Sequence, residues 1–102
     1  DLRNSKVVDI IRELNDYGIE CLVHDPIADP TVAKELYDVE LKPWDAIQNV
    51  DAIVLAVAHD QYRDYSVAEY HTKMDNHSII IDVKNILNKR ECQENGIQWW
   101  GL

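Results

Sequence analysis

The stretch Asp51-Ala52-Ile53-Val54-Leu55-Ala56-Val57-Ala58-His59-Asp60 is apolar throughout between its polar ends. A run of this kind, without polar alternation, reads as a strand buried on both faces, the pattern of a parallel sheet covered by helices. Ser78 to Val83 carries a second such run, Ile79-Ile80-Ile81. Between the two, Ser66 and Glu69 fit the capping box S-x-x-E, which predicts a helix from about Val67 to Met74. Beyond the second run, a helix is expected over Asn85 to Asn95, ended by Gly96, and then a last strand over Ile97-Gln98-Trp99-Trp100.

Upstream the same alternation continues. Val7, Val8, Ile10, Ile11 and Leu14 recur at helical spacing, with Asn4 or Ser5 as cap and Gly18 past the end. Ile19 to His24 reads as a short buried strand that stops at Asp25-Pro26, because proline cannot donate to a ladder and restricts its predecessor. Asp29-Pro30 is an N-cap followed by proline at the first helical position, opening a helix to about Tyr37. A weak strand near Val39–Leu41 and a short helix from Pro43-Trp44-Asp45 to about Asn49 follow. The order predicts an α/β fold, a three-layer, Rossmann-like, open and mainly parallel sheet, with the chain 1–102 as one domain. Such folds usually open on a strand, whereas this chain opens on a helix. We expect a fragment of a longer polypeptide whose sheet lacks its first strand.

Composition narrows the function. The chain has 102 residues, 10 Lys and Arg against 19 Asp and Glu, and a net charge of −9. That balance argues against a nucleic-acid partner, which asks for a basic patch. The apolar runs fall far short of the roughly 20 residues of a membrane span, and no basic-then-apolar leader is visible. Cys21 and Cys92 form no metal or redox motif, so a reduced, cytoplasmic setting is the expectation. The glycines, Gly18, Gly96 and Gly101, are scattered. They make neither a dinucleotide fingerprint nor a phosphate-cradling loop, so any nucleotide must be held by other means.

In open parallel sheets, ligands bind beyond the C-terminal strand ends. His24-Asp25, His59-Asp60 and Asp82-Val83-Lys84-Asn85 belong there. Arg3 joins them if a strand precedes residue 1, beside a helix N-terminus that favours anions. Its plain alternative is a surface arginine paired with Asp1. Lys84 can act as a point charge toward an anionic ligand, or stand as a solvated loop lysine. Asp82 reads as structural, bonding loop amides. The histidines lack metal-ligand spacing and read as loop residues bonding backbone; no metal site is expected. Neither cysteine sits beside a base, and no catalytic residue is assigned. Tyr62, Tyr65 and Tyr70 read as packing residues. Of Trp99 and Trp100, one should pack inward, and the other faces a partner or missing segment.

Four segments in order resemble the C-terminal domain of the UDP-glucose/GDP-mannose dehydrogenase family. They are Asp1-Leu2-Arg3-Asn4-Ser5 (D-x-R-x-S), Gly18 to Pro26 (G-x-x-V-x-x-[YH]-D-P), Asp51 to Asp60, and Ile81-Asp82-Val83-Lys84-Asn85-Ile86-Leu87 ([ILF]-D-x-[KR]-[NR]-x-[LF]). The Ala58-His59-Asp60 variant looks more like the UDP-N-acetylhexosamine 6-dehydrogenase branch, as in Vi-type capsule synthesis, than like UDP-glucose dehydrogenases. The resemblance implies an enzyme that oxidises the C6 hydroxyl of a nucleotide sugar to a carboxylate with two NAD+ in succession. It implies NAD on an N-terminal domain, a catalytic cysteine near the middle, and a C-terminal domain that holds the UDP-sugar. It implies Arg3 approaching NAD, Lys84 contacting the UDP-sugar with Asn85 beside it, and a homodimer when full length. The glycine fingerprint, the cysteine motif and the lysine-bearing strand before D-x-R are absent. The chain by itself is therefore expected to be inactive. The rival readings are a stand-alone flavodoxin-like or receiver-like regulatory module, for which the acidic cluster is lacking, and an interaction domain using the Trp99-Trp100 end.

Overall fold

The computed structural model describes residues 6–101, apart from the side chain of Asn76. They fall into two compact units, one up to Ile47 and one from Gln48 onward.

The first unit is built on two helices. α1 spans Lys6–Asp16 and buries Val8, with Val7 and Ile11 partly buried beside it. It closes on Gly18 at φ 79°, whose N–H reaches the Asn15 carbonyl while the Ile19 N–H reaches back to Leu14. Left-handed backbone of this kind carries no penalty for glycine. α2 spans Pro30–Tyr37, and the Asp29 carboxylate accepts from the N–H groups of Thr31 and Val32 as the Asp-Pro pair predicts. Val8, Ala33 and Val39 form the core of this unit.

The expected strand over Ile19–His24 is not formed. It shrinks to a single parallel bridge, Val23 to Leu41, with Ile19 and Leu22 exposed. The Val39–Leu41 strand is reduced to the other half of that bridge. A single bridge leaves the remaining backbone groups of both segments outside any ladder, so composition alone did not make them strands. A 3-10 turn over Trp44–Ala46 replaces the short helix expected there.

The second unit is an α/β layer around a parallel sheet. β1 (Val50–Leu55), β2 (Met74–Asp82) and β3 (Gln98–Gly101) lie in that order, all parallel. The register sets Ile53 beside Ile80 and Ile80 beside Trp99; two residues on, Leu55 lies beside Asp82 and Asp82 beside Gly101. A short helix not foreseen in the sequence, α3 (Asp60–Asp64), precedes α4 (Val67–Thr72), which starts where the capping box predicts: Ser66 Oγ accepts from the Glu69 N–H at 3.1 Å. Tyr70 and Cys92, from α4 and α5 (Lys89–Glu94), are fully buried with Ile80. Withdrawing an isoleucine side chain from water contributes on the order of 2 kcal/mol.

Two further expectations are corrected. β1 is not buried on both faces: Leu55 is buried, while Ala52 and Val54 are exposed. Val54, Ile81 and Trp100 are register neighbours and line up across the three strands on the open face, at 40%, 37% and 56% exposure. The last helix begins at Lys89 rather than Asn85, because the N–H groups of Ile86 and Leu87 are captured by the Asp82 carboxylate. Asn88 caps it instead, accepting from the Glu91 N–H.

Candidate functional site

The parallel register brings the C-terminal ends of β1, β2 and β3 level, at Leu55, Asp82 and Gly101. The loop after β2 therefore leaves from the sheet edge where ligands of open parallel sheets bind. Lys84 and Asn85 are both exposed on it. Its shape is set from below. Asp82 is completely buried; its Oδ1 accepts from the Ile86 N–H at 3.0 Å and its Oδ2 from the Leu87 N–H at 2.8 Å. The same Oδ2 accepts from the Trp99 indole Nε1 at 3.1 Å. Burial of a carboxylate is tolerated when it is satisfied in this way. Asn85 takes the left-handed backbone, φ 58°, that turns the loop, and its N–H reaches the Asp82 carbonyl. Asparagine is among the few non-glycine residues that occupy this region readily.

The loop carries one cation, Lys84, and the helix after it opens on two more within an acidic chain. Lys84, Lys89 and Arg90 fall in a segment, residues 84–90, that holds no Asp or Glu. Arg90 leans toward Glu94 at 3.9 Å, and Lys89 Nζ lies 5.9 Å from the Trp99 ring centroid. An exposed lysine and a primary amide, with a second ammonium on the same segment, suit an anionic, hydrogen-bonding ligand such as a diphosphate.

The other expected positions divide. His59 and Asp60 follow β1: the His59 ring lies 5.8 Å from Tyr62, its carbonyl accepts the Tyr62 N–H, and Asp60 opens α3. His24 and Asp25 lie in the first unit, the histidine 5.3 Å from the Trp44 ring and the aspartate accepting the Ile27 and Ala28 N–H groups. Arg3 lies outside the described residues. Among the described residues no group of His, Cys, Asp and Glu could hold a metal ion. A shallow depression in the first unit runs past Cys21, Asp38 and Glu40. Its cation, Lys42, is bound to Glu40 at 3.0 Å and holds that carboxyl below its ordinary value, so the depression suits a diphosphate poorly.

Sequence reasoning placed Asp82 under the loop but missed its third partner. Trp99 is the residue that packs inward, and Trp100 is exposed. Tyr62 and Tyr70 are buried packing residues, Tyr70 donating its hydroxyl to the Tyr62 carbonyl. Cys92 is buried and Cys21 is half-buried rather than inside a strand; burial pushes both thiols up, away from the thiolate a nucleophile needs.

Residues 1–89 match the model of the UDP-glucose/GDP-mannose dehydrogenase family, UDP binding domain. The chain belongs to this family. Protein CapL of Staphylococcus aureus is 33% identical over 97% of the chain and 23% of its own length. The UDP-N-acetyl-D-glucosamine 6-dehydrogenase of Pseudomonas aeruginosa is 33% identical over 87% of the chain and 21% of its own length. The UDP-glucose 6-dehydrogenase of Caenorhabditis elegans is 24% identical, covering all of the chain and 24% of the relative. The chain thus spans under a quarter of the length of these relatives.

The NAD that the dehydrogenase family implies does not fit the described residues. Gly18 and Gly96, the glycines at positive φ, each close a helix instead of opening one after a strand, and Gly101 ends β3. No glycine turn cradles a pyrophosphate among them. No described helix is long and apolar enough to cross a membrane.

Proposed function

We propose that the chain is the nucleotide-sugar-binding lobe of an NAD-dependent nucleotide-sugar 6-dehydrogenase, a single functional domain over residues 1–102 that works with N-terminal and central domains of a longer, homodimeric, cytoplasmic polypeptide. Its substrate is a UDP-N-acetylhexosamine, oxidised to the uronic acid for surface polysaccharide. The observation that carries this reading is the exposed Lys84–Asn85 pair on a loop fastened to the C-terminal edge of a parallel sheet. Lys84 binds the diphosphate as a point charge, and the Asn85 amide takes a hydrogen bond from or to the nucleotide. Arg3 reaches toward NAD across the domain cleft, the cofactor itself being held elsewhere in the longer protein. The hexosamine branch is supported by relatives named UDP-N-acetyl-D-glucosamine 6-dehydrogenase in Pseudomonas aeruginosa and Salmonella typhi.

Calorimetric titration of the chain with UDP tests the reading. UDP binds, and Lys84→Ala weakens it about tenfold or more, the usual loss for a charge-assisted contact. UDP affinity indifferent to Lys84→Ala overturns the role of Lys84. NAD reduction by the chain alone with a UDP-sugar overturns its dependence on other domains.

A further inference from the structure

The loop that carries Lys84 and Asn85 is fastened by a residue far from it in sequence. Trp99, on β3, donates its indole N–H to Asp82 Oδ2, the oxygen that also receives the Leu87 N–H. The two contacts share one carboxylate oxygen, so a displaced indole changes the seat of the loop backbone as well. The ring also occupies the space beside Gly101: a Cβ built there lies 2.6 Å from a Trp99 ring carbon and 2.8 Å from Asn85 Oδ1. Gly101 is therefore the point where the indole and the Asn85 side chain come together with no room for a methyl group between them. The positive φ of Asn85 adds to this, because such a turn holds its geometry only while the surrounding contacts fix it.

We infer that Trp99 is a positioning residue for the ligand loop: through Asp82 and the glycine gap at Gly101 it sets the placement of Asn85 and Lys84 toward a nucleoside diphosphate. This rests on the reading of Lys84 and Asn85 as ligand contacts. Trp99 itself touches no ligand. It acts by fixing the carboxylate and the side-chain oxygen that shape the loop, and preorganised donors bind more tightly than donors that must be ordered on binding.

The test uses UDP titration and thermal melting on four proteins besides the parent: Trp99→Phe, Gly101→Ala, Lys84→Ala and the double variant Trp99→Phe/Lys84→Ala. Trp99→Phe keeps an aromatic ring but removes the N–H donor and trims the indole beside Gly101, and it is expected to weaken UDP several-fold, at least the value of one lost hydrogen bond. Gly101→Ala leaves every donor in place but pushes the indole and Asn85 apart, and it is expected to weaken UDP too. If Trp99→Phe does not fold, Gly101→Ala decides. A residue that only stabilised the fold would lower affinity equally with or without Lys84. A positioning residue loses the part of its effect that acts through Lys84, so the losses in the double variant should be clearly less than the sum of the two single losses. Parent-like affinity of both Trp99→Phe and Gly101→Ala, with Lys84→Ala impaired, overturns the positioning role and leaves the site reading intact. Additive losses in the double variant overturn it as well. Parent-like affinity of Lys84→Ala overturns the site reading and this inference with it.

Discussion

Trp99 and Asp82 are joined across seventeen residues by an indole N–H to carboxylate hydrogen bond of 3.1 Å, and this bond ties the last strand to the loop after β2. Asp82 is the shared anchor: it also holds the Ile86 and Leu87 N–H groups. The consequence is a division of labour at the sheet edge. Asp82, which is buried, carries structure, and Lys84, which we propose contacts the ligand, is exposed.

That division predicts opposite behaviour for two residues two positions apart. Asp82→Ala leaves three donors without their acceptor and should cost about 3 kcal/mol or more in urea unfolding. Lys84→Ala removes an exposed side chain and should change stability by less than about 0.5 kcal/mol. Equal losses in the two variants would contradict the assignment.

Asn85 gives a second, purely conformational prediction. At φ 58° a β-branched residue meets its own backbone, so Asn85→Val should lower stability by roughly 1–2 kcal/mol. Asn85→Gly should be neutral or slightly stabilising, since glycine enters this region freely. Thermal melts of the two variants check the sign, which is what distinguishes strain from loss of a side-chain contact.

What the sequence made legible was local. The Ser66–Glu69 cap, the Asp29-Pro30 start and the Asp82 loop anchor are each encoded within a few residues, and each is present. What it hid depended on partners. Ile19–His24 has strand composition but a single bridge, because β-structure requires a ladder and composition does not supply one. The helix expected at Asn85 starts at Lys89, because a buried carboxylate outcompetes helical hydrogen bonds for the Ile86 and Leu87 N–H groups. The apolar run at 52–58 suggested two covered faces, yet Val54 is exposed in line with Ile81 and Trp100. Of the proposed site, the place of Lys84 and Asn85 on the loop after β2 could be read from the strand end and the motif. Trp99 could not, since its role follows from the β2–β3 register that sets Ile80 beside it and Asp82 beside Gly101.

The two tryptophans should separate cleanly in a stability measurement. Trp100 is 56% exposed on the open face, so Trp100→Gln should stay within about 0.5 kcal/mol of the parent. Trp99→Ala loses a half-buried ring and the donor to Asp82 together, and should cost about 3 kcal/mol in urea unfolding. A comparable loss at Trp100 would mean that the open face is covered in solution.

The buried tyrosine and the thiols predict a loss of stability at alkaline pH. Burial raises the Tyr70 hydroxyl far above its ordinary 10.0, with the neighbouring Tyr62, Tyr65 and Asp82 charges adding to it. Burial likewise raises the Cys92 thiol above its ordinary 9.0, with Asp82 and Glu91 adding. In both cases the folded chain keeps a proton that the unfolded chain releases at the ordinary value, so stability falls as pH rises. The contribution is complete below pH 9.0, begins to fall there through Cys92 and Cys21, whose thiol burial also raises, and falls more steeply above 10.0 through Tyr70. Each such proton sets a slope of up to about 1.4 kcal/mol per pH unit. Urea unfolding between pH 8 and 11 should show the two stages. Tyr70→Phe should lose about 1 kcal/mol at neutral pH, with its hydroxyl no longer donated to the Tyr62 carbonyl, and should flatten only the upper stage. Cys92→Ala should reduce the slope that begins near pH 9.0, leaving the part that Cys21 supplies. An unchanged upper limb in Tyr70→Phe would show that the alkaline transition arises from another group.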